Sequence, residues 1–338
     1  MEQPQGAAAE TVAGGYLIRP WRDGDEAHIL AAFQRVFPSR RSLAEWRRIY
    51  GDSPDGAEIM LCLAPDGGVA AQYAATVHRA CCAGDEVRLG LMRDTFSVPD
   101  HRQARQGRQG LVAATYEAFV RQWTGPGRIA FGYGFPNPRH ERIGRLQMHY
   151  QPFSRWWRGQ CLLTAGDASA QRRATPLTVR QLSGFDRGFD DLWARESGRF
   201  AFALIRDARF LEWRFGGDDR YLCFAAYPFL AATPSGYLIF RPQGEFAWLA
   251  DFLLPRDPAA ALAFWQEVSA RLLARGIRRV EGWCAASAPD LPFLGRLGFA
   301  GMERGEQLRP VFRCFDPGLD PEWADGHFHF SMADSDLV

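Results

Sequence analysis

The sequence predicts two α/β domains in tandem, each a sheet flanked by helices. Three observations carry this. A chain of 338 residues is long enough for two cores. Strand-like and helix-like segments alternate in a similar order in both halves. Two short motifs also recur in that order: "EWRRIYGDSPDG" from Glu45 returns as "EWRFGGDDR" from Glu212, and "GRLQM" from Gly144 returns as "GRLGF" from Gly295. A repeat unit of this size points to a duplicated domain, not a solenoid.

The elements follow in order. Residues 1–14 are acidic, small and turn-rich, and predict a disordered tail without the basic and apolar regions of a signal peptide. Residues 16–19 read as a strand. Residues 23–37 read as a helix, with apolar side chains at Ile29, Leu30, Phe33, Val36 and Phe37. A second helix over 42–51 opens on Ser42 with Glu45 three residues on, and stops at Gly51. Strands follow at 58–63, 69–78 and 87–98, separated by the turns "APDGG" and "AGDE". Next come a polar loop, a helix over 111–123, a strand over 128–135 and an Arg-rich polar stretch. Residues 164–178 are small and polar and read as a linker. Beyond it lie helices at 189–197, 207–215 and 257–276, strands at 221–227, 236–241, 246–254 and 277–284, and a short helix in 291–299.

Composition excludes several function classes. The net charge is +1, so there is no bulk attraction to nucleic acid or to a membrane. Every basic side chain is arginine, which rules out a lysine Schiff base and a phosphate-gripping lysine. No run approaches the ~20 apolar residues of a membrane span. The seven cysteines show no C-x-x-C or zinc spacing and mostly sit in apolar stretches, which predicts a reduced, cytoplasmic setting and no metal.

The loop "RQARQGRQG", residues 102–110, joins a strand to a helix. Such a turn exposes backbone N–H groups at the positive end of a helix dipole, which suits an anion. Arg102, Arg105 and Arg108 add donors and charge. The same loop also reads as a solvated connection. Here the residues resemble a family. "DTFSVPDHR…RQGLVAATYEAF" is similar to the central strand, acyl-CoA loop and helix of the GNAT N-acetyltransferase superfamily. Its loop pattern, Gln/Arg-x-x-Gly-x-Gly/Ala, follows a strand and a Pro-x-x-Arg, which Pro99 and Arg102 match. "YGFPNP" (133–138) and "YLIRPWRDGDEAHILAAF" resemble further segments of the family. The resemblance covers about residues 15–155; residues 180–316 share element order more than motif. Two departures stand out. Gly110 lies eight residues after Arg102, as if triplets had been inserted, and the second half offers "LLPRDPAAALAFW" in the equivalent place. That stretch has no glycine, and Pro255 and Pro258 lack an N–H, so no orthodox cofactor site is expected there.

The resemblance implies two GNAT-like domains, each a mixed, mostly antiparallel sheet flanked by helices. They would span 15–163 and a degenerate 179–316, with 317–338 packing on a domain as a tail. It implies transfer of an acetyl group from acetyl-CoA, as co-substrate, to a primary amine of a small molecule. The cofactor would rest on strand residues Phe96 and Val98 and on Arg105, Gly107, Arg108, Gln109, Gly110 and Leu111. Asn137 would bond the pantetheine arm or simply serve a turn. Asp94 would act as base or bind the amine, or hold a neighbouring loop. The family's acidic tyrosine aligns near Ile143, and near Leu294 in the second half, so Tyr133, Tyr150 and His140 are the nearby candidates for the acid.

Alternatives stay open. A non-catalytic acyl-CoA-binding or scaffold protein would explain the displaced glycine and missing tyrosine. Fem-type transfer of an aminoacyl group from a charged tRNA also uses tandem GNAT-like domains, but expects a basic groove. His327 and His329, two apart, read as a strand-borne metal pair or as a packed terminus. "RWWRG" (155–159) reads as a core strand or a stacking platform. Oligomeric state is left open.

Overall fold

The computed structural model describes residues 10–12, 14–102, 110–164, 177–304 and 308–337. In chain order the first half holds β1 (Glu10–Val12), β2 (Tyr16–Pro20), α1 (Glu26–Val36), α2 (Leu43–Trp46), β3 (Ala57–Leu63), β4 (Val69–Cys82), β5 (Asp85–Ser97), α3 (Leu111–Trp123), β6 (Ile129–Gly134), α4 (Pro138–Gln147) and β7 (Gln151–Pro152). Then come β8 (Trp156–Leu162), β9 (Leu177–Leu182), α5 (Gly188–Glu196), β10 (Phe202–Leu204), α6 (Ala208–Phe215), β11 (Leu222–Pro228), β12 (Gly236–Gln243), β13 (Phe246–Leu253), α7 (Pro258–Ala274), β14 (Arg279–Ala285), α8 (Leu291–Leu294), β15 (Ala300–Gly301), β16 (Val311–Cys314), α9 (Pro321–His327) and β17 (Phe328–His329).

The chain forms two compact units. The first is Met1–Ala80, Glu86–Phe153 and Glu306–Pro321; the second is Cys81–Asp85, Ser154–Gly305 and Glu322–Val338. The first unit's sheet runs β1-β2-β3-β4-β5-β6-β16-β7, and the second's runs β9-β11-β12-β13-β14-β8-β15. The central pairs β5–β6 and β13–β14 are parallel, while β2–β3, β3–β4, β6–β16, β11–β12, β12–β13 and β14–β8 are antiparallel. Both units are therefore the mixed, mostly antiparallel sheets expected, built in the same order.

Three expectations need amending. The units are not the contiguous spans 15–163 and 179–316. In each sheet the open edge of the last parallel strand, a row of unpaired backbone groups, is covered by a strand from the other half of the chain: β16 on β6, and β8 on β14. Within the supposed tail 1–14, Glu10–Val12 is a strand paired to β2, while residues 1–9 and 13 lie outside the described residues. Of the linker, residues 165–176 lie outside the description, and β9 already begins at Leu177. The terminal segment packs deeply: Phe328 through Ser335 are each at most 3% exposed.

Local signals hold where the chemistry is local. Ser42 and Glu45 form the capping box of α2, whose last turn passes into a π-helical turn over Arg47–Gly51. The Arg-rich stretch after β6 is the helix α4, opened by the Asn137 cap with proline at its first position. In the first unit one core lies under α3 and holds Tyr73, Tyr116, Phe119 and Trp123; another lies under α1 and α2 and holds Phe33, Trp46 and Tyr50. In the second unit Phe224 and Phe240 of the sheet share a core with Phe264 and Trp265 of α7. Among the described residues no helix is long and apolar enough to cross a membrane.

Glu58 on β3 makes the first unit pH-sensitive. Burial pushes its carboxyl up to about 7, although Arg88 stands 4.0 Å away. Between the ordinary value of 4.5 and about 7 the folded chain keeps a proton that the unfolded chain has released, so stability falls as pH rises through that window. Glu58→Gln is expected to raise stability at pH 8 by up to ~3 kcal/mol and to leave it unchanged at pH 4. Thermal melts at the two pH values check this, and equal melting temperatures at pH 8 would contradict it.

Candidate active site

The central strand of the first unit changes face halfway along. Met92 packs with the Tyr73 and Phe119 core under α3, whereas Phe96 and Val98 pack with the Trp46 and Tyr50 core under α1 and α2. Residues four apart in a regular strand share a face. A one-residue bulge must intervene, and Asp94 supplies it with a φ of 49°. Aspartate is among the few residues that accept this left-handed backbone. Its carboxylate pairs with Arg41, and its Oδ2 accepts a hydrogen bond from the Tyr50 hydroxyl at 2.5 Å. Gln72 Nε2 donates to the Asp94 carbonyl at 3.1 Å. Burial pushes the Asp94 carboxyl up, but Arg93, Arg41 and Tyr50 together hold it below its ordinary range. Asp94 is thus a held carboxylate, which suits a structural pin better than a proton acceptor.

Beyond the bulge the sheet opens. The parallel register of β5 with β6 runs from Arg88↔Ile129 to Leu91↔Tyr133. A cleft of about 610 Å³ lies past it. The strand contributes Thr95, Phe96 and Ser97; α3 contributes Gly110 to Ala113; α4 contributes Asn137, Arg139, His140, Ile143 and Gln147. His101, Arg102 and the end of α1 at Val36 to Pro38 complete the lining. Val98 N–H donates to Ala70 O at 2.8 Å, toward β4. Strand alternation turns the N–H groups of Thr95 and Ser97 the other way. Gly110 caps α3, and the first intrahelical bond there is Ala114 N to Gly110 O, so the N–H groups of Leu111 to Ala113 have no acceptor within the helix.

The expected site residues divide accordingly. Phe96, Gly110, Leu111 and Asn137 line the cleft. Asn137 also caps α4, its Oδ1 accepting from His140 N at 2.9 Å. Val98 does not line it: its side chain is fully buried and its N–H is spent on β4. Arg105, Gly107, Arg108 and Gln109 lie outside the described residues. Tyr133 is 1% exposed between Phe131 and Phe135. Tyr150 shares a 2.6 Å hydrogen bond with Tyr73 in the core, and a Cβ on Gly144 would run into its ring. Neither phenol reaches the cleft lining, because aromatic residues on these elements bury first. His140 does reach it, and burial lowers its pKa, so its imidazole is neutral at pH 7. Ile143, where the resemblance expects a tyrosine, lines the cleft as an aliphatic side chain. Sequence reasoning missed Ser97, His101 and Arg139; only Arg139, beside the Asn-Pro cap of a helix, had a legible signal.

The second unit differs at the equivalent place. Its cleft of about 530 Å³ is bordered by Pro255, Arg256, Asp257 and Ala260 at the start of α7. Asp257 caps that helix, accepting from Ala259 N at 3.1 Å and Ala260 N at 3.2 Å, and Pro258 occupies its first turn. A built-in carboxylate sits where a ligand anion would. The remaining motifs are structural. His327 ends α9 and stacks on Trp323, so the strand alternation that would pair it with His329 is absent. His329 is 3% exposed on β17. Trp156 is 5% exposed beneath the Arg304 guanidinium, which leaves no open stacking platform.

Removing the Asp94 charge takes away the carboxylate that Arg41 pairs with, on a side chain only 7% exposed. Asp94→Asn is expected to cost about 3–5 kcal/mol in denaturant unfolding. Asp94→Val is expected to cost more, since a β-branched residue resists the positive φ. An Asp94→Asn chain within half a kcal/mol of wild type, roughly the scatter of a surface substitution, would contradict the assignment.

No family model and no curated protein matches this sequence. Solved structures do. A probable N-acyltransferase of unknown function from Enterococcus faecalis V583 aligns with a TM-score of 0.66 at 13% identity, over 89% of this chain and 73% of that one. N-myristoyltransferase from Saccharomyces cerevisiae with bound myristoyl-CoA aligns with 0.55 at 12% identity, over 95% and 90%. A tandem GNAT protein from the clavulanic acid biosynthesis pathway aligns with 0.52 at 12% identity, over 89% and 99%. The chain shares the fold of these structures, a tandem GNAT protein among them.

Proposed function

We propose that the protein is an acyl-CoA-dependent N-acyltransferase, with its co-substrate in the cleft of the first unit and acetyl-CoA as the first donor to test. The observation that carries this reading is the convergence of an open strand edge, the first N–H groups of α3, which have no acceptor within the helix, and the side chains of Arg102 and Arg139 on one cleft. The helix terminus and arginines suit the phosphates. The N–H groups of Thr95 and Ser97 suit the pantetheine arm and the thioester carbonyl. The yeast enzyme of similar fold holds myristoyl-CoA, which supports an acyl-CoA here without choosing the chain.

The chemistry is a single displacement. The neutral amine adds to the thioester carbonyl, the C–N bond forms, the C–S bond breaks and coenzyme A leaves as the thiol. The proton lost by the amine passes to neutral His140 on the cleft wall and from there to the departing thiolate, so that coenzyme A leaves as the thiol. The cytoplasm is the setting this reading expects, and the seven cysteines carried as thiols agree with it. A second reading, acyl-CoA binding without transfer, is favoured by the aliphatic Ile143 at the place of the expected phenol.

Calorimetric titration with acetyl-CoA, coenzyme A and myristoyl-CoA tests the proposal. At least one is expected to bind at micromolar Kd. The double variant Arg102→Ala, Arg139→Ala is expected to weaken that binding more than tenfold, since each hydrogen bond to a charged group contributes roughly 1.5–3 kcal/mol. Silence with all three would refute it. Binding with no thiol release across a panel of amines would favour the second reading.

A further inference from the structure

The two most exposed large apolar side chains among the described residues are neighbours. Phe229 is 67% exposed and Leu230 is 90% exposed, both at the tip of the hairpin that joins β11 to β12. Single apolar side chains on a surface need no explanation, whereas an adjacent pair on one tip does. The backbone beneath the pair adds a second anomaly. Ala231 N donates to Pro228 O at 3.0 Å, which closes a four-residue turn with Leu230 in its third position. Leu230 has a φ of 62° there. Glycine or asparagine fills such a position at little cost, and a bulky side chain does not. The chain thus keeps a strained leucine where its side chain is open to solvent. Backbone strain of this kind is kept at sites that present a group for binding.

The tip is held firmly at its base. Ser235 N donates to Ala226 O at 2.7 Å, and Arg195 Nη2 donates to Pro234 O at 2.9 Å. The start of α5 presses on the same loop: a Cβ on Gly188 would stand 3.2 Å from Pro234 Cδ. A tip ordered in advance loses little entropy when it docks.

The second unit's cleft of about 530 Å³ lies at the foot of this tip. Pro228 and Ala231, which bracket Phe229 and Leu230, stand in its wall with Leu177, Pro255 and Ala260. The exposure of both tip side chains shows that the tip does not fold into its own cleft. A tip and a cleft side by side on one face are complementary to themselves. A two-fold axis between two copies sets each tip in the other's cleft, whereas a foreign partner must supply both shapes.

Charge agrees with a second copy. The cleft rim carries Arg195 and Arg256, which pair with Glu196 at 3.0 and 2.8 Å, and Asp257 stands beside them. Both ends of α5 touch the tip loop, and α5 exposes Asp191 in its first turn and Arg195 in its last. Two copies of α5 set antiparallel by the two-fold axis bring acidic end to basic end. A rim of both signs suits a copy of itself and gives a lipid surface or a polyanion no net attraction. The neighbouring segment 164–176 is small and polar in sequence, so it offers no apolar complement to the tip.

We propose that the protein is a two-fold homodimer through this face of the second unit, with Phe229 and Leu230 of each copy in the cleft of the other. The inference is independent of the acyltransferase reading.

Sedimentation velocity of the full chain from ~1 to ~100 μM tests it, because association follows mass action. The sedimenting mass is expected to rise toward that of two chains. The double variant Phe229→Ser, Leu230→Ser is expected to weaken association at least tenfold, as the loss of a central apolar anchor does. Leu230→Gly, which relieves the backbone, is expected to weaken association as well. Neither tip variant is expected to lower the melting temperature measured at the dilute end. Thr233→Arg, which puts a charge in the cleft wall, is also expected to weaken association. A mixture of the double tip variant with Thr233→Arg restores one of the two contacts, so it is expected to associate more strongly than either variant alone. A monomer throughout the range, a dimer indifferent to the tip or cleft variants, or a mixture no stronger than its parts would overturn the proposal. So would a lowered melting temperature in the tip variants, which would make the tip part of the fold. A wild-type monomer that binds vesicles of phosphatidylserine and phosphatidylcholine, and loses them in the double tip variant, would assign the tip to a lipid surface and overturn it too.

Discussion

A buried ion pair between Arg41, just before α2, and Asp94 on the central strand is the constraint on which the first unit depends. Asp94 adopts a backbone conformation that most residues resist, and it is held there by Arg41, Tyr50 and Gln72. The bulge this creates exchanges the faces of the strand. Phe96 and Val98 turn under α1 and α2, and Thr95 and Ser97 turn toward α3 and α4. Without that exchange the strand's spare N–H groups would not meet the cleft. Breaking a buried ion pair costs more than making it gains, because the survivor is left desolvated. The pin is therefore better understood as a fixed geometry than as a store of stability.

The pin occurs in both units, as Arg41 with Asp94 and as Arg206 with Asp251, but what surrounds it differs. Both sheets share one order of strands, and each borrows a strand from the other half of the chain. In the second unit the helix terminus that would hold phosphates is capped by Asp257 and begins with Pro258. Its central aspartate is met by Ser331, and its arginine by Asp334. At these positions the protein's own side chains make the contacts. In the first unit the N–H groups of Leu111 to Ala113 have no acceptor within the helix, and among the described residues the Nε of Arg93 has no hydrogen-bond partner.

Much of this was legible in sequence, and the remainder has identifiable causes. Caps, turns and apolar periodicity are local, so Ser42–Glu45, Gly110 and the stop signals around α7 were readable. Pro255 and Pro258 were readable as residues without an N–H to donate, and Pro258 stands in the first turn of α7 behind the Asp257 cap. The bulge was invisible because Met92 and Phe96 are both apolar, and either face would accept them. Arg41 and Asp94 lie 53 residues apart, and no spacing rule connects them. Tyr133 and Tyr150 were attractive as acids because a phenol can donate a proton, yet Tyr150 satisfies its hydroxyl on Tyr73, 77 residues away. The strand exchange escaped notice because β16 has four residues and little pattern.

The central claim is that acyl-CoA enters the first unit at the cleft between the bulged strand and two helix termini, and that the second unit takes none. Hydrogen–deuterium exchange with and without saturating acyl-CoA addresses it most directly. The account predicts slowed exchange at residues 95–97, at 110–113 and in the first turn of α4, with no change at 257–260. Slowing at the start of α7, or no slowing in the first unit, would contradict it.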